Sequence, residues 1–180
     1  MAKQTQRFIM STFMQLLESE SLDKITVRDI VEECEINRNT FYYHYSDIYD
    51  LLDDVFRVET EKFMSEDVSE NTTFGEEYER AARFVLKYKR AILHIYDSKK
   101  RDVLQNYLET LAFSFISRFV KKEADGYGLS DEDIDYITGF YTHAIVGNTL
   151  GWIKRKLPSG QEKFLSLIHI SEPTRHAQIS

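Results

Sequence analysis

The sequence predicts an all-α protein in which a three-helix N-terminal domain precedes a larger helical bundle. Apolar residues recur at spacings of three and four along most of the 180 residues, which places them on one face of each helix. A Ser or Thr followed three residues later by an acidic residue, the pattern of a capping box, precedes three of these stretches. These pairs are Thr26 with Asp29, Thr73 with Glu76, and Ser130 with Asp133.

Three helices are expected in the N-terminal domain. The first covers about residues 4–20, where the residues at helical spacing are Phe8, Thr12 or Phe13, Leu16 and Leu17. The second has a buried face at offsets 0, 3, 4 and 7, formed by Val27, Ile30, Val31 and Cys34. Thr26 caps this second helix, Glu35 and Ile36 make the turn, and Asn37 can cap the third helix, residues 38–44.

The third helix has the composition expected of a helix that lies in the DNA major groove. Phe41 and Tyr45, four residues apart, can anchor it inward. No apolar pattern would bury the other residues, which are Arg38, Asn39, Thr40, Tyr42, Tyr43 and His44. Arg and Asn read base edges through paired hydrogen bonds, whereas Tyr, Thr and His suit phosphates and the thymine methyl. The alternative is a helical hairpin of an unrelated bundle, in which these side chains are only solvated.

The segments ITVRDI, NRNTFYYHYSD and DLL resemble the DNA-binding region of TetR-type transcriptional regulators. The resemblance implies that Arg38, Asn39 and Tyr42 contact bases. The phosphate contacts are expected from Thr26, Tyr43 and His44, with Thr40, Lys3 and Arg7 as further partners. The longer segment RNTFYYHYSDIYDLL resembles that of the family branch associated with dihydroxyacetone kinase operons. This second resemblance would permit activation instead of repression.

Two positions depart from the pattern of that family. Glu35 stands where the family usually has glycine in the turn, and a left-handed backbone at this position costs about 1 kcal/mol. Ile48 stands where a phosphate-binding lysine is frequent, so this contact is expected to be missing.

The charge of the chain is unusual for a DNA-binding protein. Its 23 basic and 30 acidic residues give a net charge of −7. Residues 1–50 hold five basic and nine acidic residues, a net charge of −4. Because phosphate neutralisation supplies much of the affinity of DNA-binding proteins, we expect weak non-specific binding and a need for two N-terminal domains acting together.

Beyond the motif, the pattern predicts a connecting helix and a bundle of further helices. The connecting helix runs from a cap at Ser46 or Asp47 to about Ser65, and its buried face is Ile48, Leu51, Leu52, Val55, Phe56 and Phe63. After a polar break at residues 66–73, helices are expected from the cap at Thr73 to about residue 88, then over residues 91–96 and 99–123, and from the cap at Ser130 to about residue 158.

The last long helix carries a row of small residues four apart. Gly139, Gly147 and Gly151 form this row with His143, and Trp152 flanks it. Glycines can simply weaken a helix, at about 1 kcal/mol each. Three in one row instead favour close approach of another helix. Members of the resembled family dimerise through their last two helices, so this row is expected at a homodimer contact, with a further helix starting near Gln161.

A ligand cavity is expected in the bundle because it is rich in aromatic residues, and the resemblance to TetR-type regulators implies that an effector binds there. The candidate ligand-binding residues are Tyr88, Tyr107, Tyr141 and His143, and the effector is either a small molecule or a protein. Aromatic stripes at helical spacing also occur as plain core, and the sequence does not choose between the two readings.

The sequence has no pattern typical of an enzyme, a cofactor or a metal site. The seven glycines form no phosphate loop, the five histidines have no metal-ligand spacing, and carboxylate pairs such as Asp53 with Asp54 are typical of a solvated helix face. The single Cys34 excludes an internal disulfide, and no membrane span or signal peptide is evident, so a cytoplasmic location is expected.

Together these observations predict three regions. Residues 1–46 form a helix-turn-helix DNA-binding domain, residues 47–166 a helical regulatory and dimerisation domain, and residues 167–180 a tail that resembles translated cloning sequence. The predicted function is a sequence-specific regulator, in the commoner case a repressor, that binds a double-stranded palindromic operator as a homodimer under effector control. The alternative is a helical protein-interaction module or co-activator with weak or lost DNA binding.

Overall fold

The structure, a computed structural model, describes residues 2–65, 72–125 and 127–158, and eight α-helices occupy these ranges. Their bounds are α1 Ala2–Ser19, α2 Val27–Glu33, α3 Arg38–His44, α4 Ile48–Ser65, α5 Phe74–Lys87, α6 Lys89–Tyr96, α7 Arg101–Ala124 and α8 Asp131–Lys154. The predicted all-α fold is confirmed. The expected helix near Gln161 and the expected tail at 167–180 lie outside the described residues.

Helices α1 to α3 form the N-terminal head, and local hydrogen bonds fix their ends. The Thr26 side chain accepts a hydrogen bond from the Asp29 backbone, and the Asp29 carboxylate accepts one from the Thr26 backbone, which confirms this capping box. Asn37 caps α3 as predicted. One expected core residue is wrong, because Phe8 is 50% exposed and Ile9 takes its place in the core with Phe13.

The connecting helix α4 begins at a cap from Asp47, whose Oδ1 accepts hydrogen bonds from the backbone N–H groups of Tyr49 and Asp50. Its apolar face packs on the later helices α5 to α8, here called the body. The rings of Phe56 and Tyr107 stack with centroids 3.9 Å apart and an interplanar angle of 9°. The Tyr88 hydroxyl donates to Glu59 Oε2 over 2.6 Å, which adds a polar tie between α4 and the body.

A buried ion cluster holds the far end of α4. Glu77, which is 1% exposed, accepts hydrogen bonds from the Arg80 guanidinium at Oε2 over 2.9 Å and at Oε1 over 2.6 Å, and one from Arg118 over 3.2 Å. Arg80 also donates to the carbonyl oxygen of Phe63 over 2.7 Å and lies over its ring. Because the last carbonyls of a helix lack intrahelical partners, Arg80 supplies one of them with a donor and ties α4 to α5.

Helices α5 to α8 form the body, in which α7 and α8 pack side by side. The capping boxes at Thr73 and Ser130 are confirmed. Helix α8 ends earlier than expected, at Lys154 rather than near residue 158. The reason is a tight turn: Lys156 and Leu157 have φ values of 63° and 51°, and the Leu157 side chain is buried at 1% exposure.

Polar contacts also join the head to the body through α1 and α6. The ring Nδ1 of His94 lies 2.7 Å from the carbonyl oxygen of Leu17. The backbone N–H of Lys99 donates to Asp23 Oδ2 over 3.1 Å. The head is therefore held against the body at α6 as well as through α4. Over the described residues, the helices are too short or too polar for any of them to cross a lipid bilayer.

Candidate nucleic-acid interface

Helix α3 separates residues that anchor it from residues that face solvent. Phe41 and Tyr45 are buried at 0% and 3% exposure. The residues expected to contact bases, Arg38, Asn39 and Tyr42, are all exposed, and so is Tyr43. Two large rings account for much of this surface, since Tyr42 is 54% exposed and Tyr43 is 78% exposed. The anchoring predicted from the sequence is confirmed, and α3 presents a polar and aromatic face to solvent.

Arg38 is available to an external partner. Among the described residues, its side chain has no hydrogen-bond or ion-pair partner, and the same holds for Lys3, Arg7 and Lys24. Arg28 on α2 differs, because its Nε lies 2.6 Å from Glu32 Oε1, and the hydrogen bond to Glu32 raises the pKa of its guanidinium. The guanidinium that α3 presents at its start is thus unpaired among the described residues.

The two threonines expected at phosphates already have donors and acceptors within the head. The Thr26 hydroxyl donates to Asp29 Oδ2 over 2.6 Å, and these Thr26 hydrogen bonds lower the pKa of Asp29. The Thr40 hydroxyl donates to Asn37 Oδ1 over 3.1 Å and is half-buried. A phosphate at either site would have to redirect a hydroxyl proton. The phosphate roles of Thr26 and Thr40 stay predictions.

His44 and Tyr43 lie at the end of α3. Their rings meet edge to face, with centroids 5.0 Å apart. His44 is half-buried, whereas Tyr43 projects into solvent. Tyr43 is therefore the better placed of the two for an outside partner.

The turn between α2 and α3 has the strained backbone that the sequence predicts. Glu35 has a φ of 52°, in the left-handed region that favours glycine. The Ile36 N–H donates to the carbonyl of Val31 over 3.0 Å, and the Glu35 N–H donates to that of Glu32 over 3.2 Å. These two bonds close the end of α2 and require the left-handed residue between them.

Asp54 departs from the expectation of a solvated carboxylate pair. Asp53 is exposed, but the side chain of Asp54 is only 14% exposed. The prediction fails because Asp54 faces the junction of α1, α3 and α4, where side chains from all three helices meet it.

One face of α8 is open along the glycine row. Apart from adjacent residues and the backbone of α8 itself, a Cβ added at Gly139 or Gly147 would meet no atom within 4 Å, and at Gly151 the nearest atom is Arg155 Nη1 at 3.5 Å. The row therefore serves no close helix contact among the described residues. Exposed rings lie on the same helix, with Tyr136 at 77%, Phe140 at 64% and Tyr141 at 49% exposure. His143 is exposed, and its Nδ1 lies 2.7 Å from the Gly139 carbonyl oxygen.

Trp152 does not belong to this open face. It is 9% exposed and lines a small apolar cleft of about 30 Å³ between α5, α7 and α8. The reason is its position on the side of α8 that faces α5 and α7. Its expected place in a dimer contact therefore does not fit its burial within the chain.

The cleft contains none of the four residues expected at a ligand. Tyr88 bonds Glu59, Tyr107 stacks on Phe56, and Tyr141 and His143 face solvent. Two hydroxyl groups line the cleft, those of Tyr78 and Thr149, and no sequence pattern marked either residue as part of a site. Burial raises the pKa of Tyr78, and a hydrogen bond with Thr149 lowers it by a smaller amount. Only their place on apolar helix faces could have signalled them. No cluster of three possible metal-ligating side chains occurs in the described ranges.

Comparisons with known proteins address both halves of the chain. Residues 9–55 match the family model described as bacterial regulatory proteins, tetR family, and residues 73–171 match the model described as transcriptional regulator C-terminal region. No curated protein matches the chain. Among solved structures, the dihydroxyacetone kinase operon activator DhaS superimposes with a TM-score of 0.70 at 22% identity, covering 92% of each chain. At this identity the likeness shows a common fold.

Proposed function

Since the chain belongs to the TetR family of DNA-binding transcriptional regulators, we propose that it binds a palindromic operator as a homodimer and reads the bases with α3. The observation that carries this proposal is the unpaired Arg38 on the exposed face of a helix anchored by the buried Phe41 and Tyr45. Such a helix can enter a major groove without any rearrangement of its own core.

The chemistry of the exposed side chains assigns roles along α3. Arg38 pairs with the O6 and N7 atoms of a guanine, and Asn39 pairs with the N6 and N7 atoms of an adenine. Tyr42 contacts a thymine methyl or a phosphate. Tyr43, with Lys3 and Arg7 at the start of α1, supplies phosphate contacts. With so few cations, each phosphate contact carries a large share of the total affinity.

A homodimer is supported by the open face of α8. Gly139 and Gly147 leave room for close approach of a second helix, and the rings of Tyr136 and Phe140 supply apolar area beside them. Exposed rings in such number on one helix are typical of an interaction surface. Two-fold symmetry then places the two α3 helices in successive major grooves, about 34 Å apart.

We further propose that an effector controls DNA binding and that the protein represses transcription. The cleft around Tyr78 and Thr149 holds about 30 Å³, enough for one or two water molecules. A small-molecule effector therefore has to separate α5 from α7 and α8 as it enters. The effector can change DNA affinity only to the extent that it binds the arrangement with separated helices more tightly than the closed one. DhaS, which has the same fold, is named as an activator and so represents the opposite effect on transcription.

The second candidate, a protein-interaction module with weak DNA binding, is favoured by one observation, the net charge of −4 over residues 1–50. Salt dependence separates the two. For an operator-binding protein, the logarithm of affinity falls linearly with the logarithm of salt concentration, and specific DNA binds far more tightly than random DNA. An interaction module shows neither behaviour.

Selection of bound duplexes from a random DNA pool at moderate salt tests the proposal. The full chain and Arg90→Ala, which removes an exposed arginine of α6, should both enrich one inverted repeat. Arg38→Ala should enrich it poorly or relax the base at one position of each half-site. If the full chain enriches no sequence, the operator proposal is wrong, and the protein-interaction candidate takes its place.

A further inference from the structure

One carboxylate on α4 accepts hydrogen bonds from side chains of α1, the C-cap of α3 and α4 itself. Asp54 lies in the second turn of α4. Its Oδ2 accepts a hydrogen bond from the Tyr45 hydroxyl over 2.9 Å and another from the Gln6 amide over 2.9 Å. Its Oδ1 accepts a hydrogen bond from Arg57 Nε over 3.1 Å, within α4. The carboxylate thus joins α1, the end of α3, and α4.

Tyr45 is the residue through which this carboxylate reaches the recognition helix. It is the C-cap of α3, and its backbone N–H donates to the Phe41 carbonyl over 3.0 Å. Its ring is buried and lies beside the ring of Phe41, with centroids 5.9 Å apart. A bond from its hydroxyl to α4 therefore fixes the end of α3 at both its backbone and its side chain.

The groups around Asp54 keep it ionised and keep Tyr45 protonated. Burial favours the neutral acid, but hydrogen bonds from Arg57, Tyr45 and Gln6 outweigh it and lower the pKa of Asp54. Burial and the bond to Asp54 raise the pKa of Tyr45. The negative charges of Asp50 and Asp54 act in the same direction on the tyrosine. At neutral pH the pair is a hydroxyl that donates to a carboxylate, the stronger class of hydrogen bond.

Immediately beyond Asp54, α4 is fixed to the body. The Phe56 ring stacks on Tyr107, and Glu59 accepts a hydrogen bond from the Tyr88 hydroxyl. The contact between Tyr45 and Asp54 therefore links the end of α3 to the part of α4 that is fixed to the body, beside the separate contact of the head with α6.

On these grounds, and resting on the proposed function, we infer that Asp54 is a positioning residue for DNA recognition. It acts through Tyr45 to fix the angle of α3, and so selects the spacing between operator half-sites. It touches no DNA itself.

Tyr45→Phe tests this inference, because it removes the hydroxyl and leaves the buried ring. Arg57→Gln is the matched control, since it removes another donor to the same carboxylate without touching α3. Affinity is measured for the selected operator with its natural spacer and with spacers one base pair shorter and longer. The wild type and Arg57→Gln should prefer one spacer to the same degree. Tyr45→Phe should reduce that preference by about threefold or more, with an unchanged dimer mass and helical content.

The outcomes separate this inference from the proposed function. Equal weakening of Tyr45→Phe on all spacers, or no change, would overturn the positioning role and leave the tyrosine as a stabilising residue. Failure of the wild type to prefer any operator would overturn the proposed function, and with it this inference, before any variant is compared. If Tyr45→Phe does not fold, Asp54→Asn decides in the same assay. Its amide keeps only one oxygen, so it cannot accept all the hydrogen bonds that the carboxylate accepts at two.

Discussion

Replacing Glu35 with glycine should stabilise the head. Glu35 is the left-handed residue that closes α2, with a φ of 52°. Its side chain is exposed and has no hydrogen-bond or ion-pair partner in the described part of the chain. The two backbone bonds at Glu35 and Ile36 need only the backbone conformation, so the substitution keeps them. Nothing favourable is lost with the side chain.

The magnitude follows from two opposing terms. A left-handed backbone costs a non-glycine residue about 1–2 kcal/mol, and glycine removes this cost. The greater freedom of glycine in the unfolded chain takes back about 0.4–1 kcal/mol. The free energy of unfolding should therefore rise by roughly 1 kcal/mol, which corresponds to a midpoint increase of about 2–4 °C for a chain of this size.

Urea and thermal unfolding followed by far-ultraviolet circular dichroism measure this change. Glu35→Gln is the control, because it removes the same negative charge and keeps a side chain on the left-handed backbone. We expect Glu35→Gln to give less than about a third of the glycine effect. A glycine variant no more stable than the glutamine variant would refute the reasoning that this backbone is strained.

Four further predictions concern the interface, the open face and two buried carboxylates. Arg38→Ala should cost about 1–3 kcal/mol of operator binding and relax base choice at one position; an unchanged sequence preference would remove Arg38 from the reading set. Gly147→Leu should abolish the homodimer in sedimentation, because its side chain blocks the close approach of the second helix, while a Cβ at this position meets no other helix of its own chain within 4 Å; a variant that stays dimeric would reject this interface. Glu77→Ala should lower the free energy of unfolding by about 3 kcal/mol, because Arg80 loses its buried partner; a loss below 1 kcal/mol in urea would contradict this. The lowered pKa of Asp54 means that its stabilisation is complete above its ordinary pKa of 3.8 and is lost as pH falls through the folded-state pKa. Asp54→Asn should therefore lose less stability than the wild type from about pH 5 to about pH 3 in parallel urea titrations.

The features that the sequence predicted correctly depend on residues close together in the chain. The capping box of Thr26 and Asp29 spans three positions, and the anchoring of α3 by Phe41 and Tyr45 spans four. Helical geometry alone decides which of these residues share a face. The strain at Glu35 was also predictable, although in that case the resemblance to a family with glycine at this position supplied the signal.

The features that the sequence did not predict join residues far apart in the chain. Asp54 meets Gln6 across 48 positions, and Glu77 meets Arg118 across 41. Their burial depends on how helices pack, which no local spacing encodes. Asp54 was accordingly expected on a solvated face.

Aromatic residues of the body show the same limit. The sequence offered Tyr88 and Tyr107 as ligand-binding residues because their rings and hydroxyls suit a ligand. Both instead contact α4, through Glu59 and Phe56. A tyrosine that satisfies a neighbouring helix and one that awaits a ligand have the same pattern in a sequence, so only the packing distinguishes them.

The anchor that Arg80 provides at the far end of α4 implies a mechanical amplification. The helix has 18 residues, so its start lies about 27 Å from its end. The Phe63 carbonyl lies about 22 Å from that start, so a rotation of about 8.5° around it would carry the start sideways by about 3.3 Å, close to the rise of one base pair. The same rotation displaces atoms near the anchor by well under 1 Å. Register on DNA would thus change by about one base-pair step while the packing around Glu77 was kept, and the contacts of Phe56 and Glu59 with the body would shift with the helix.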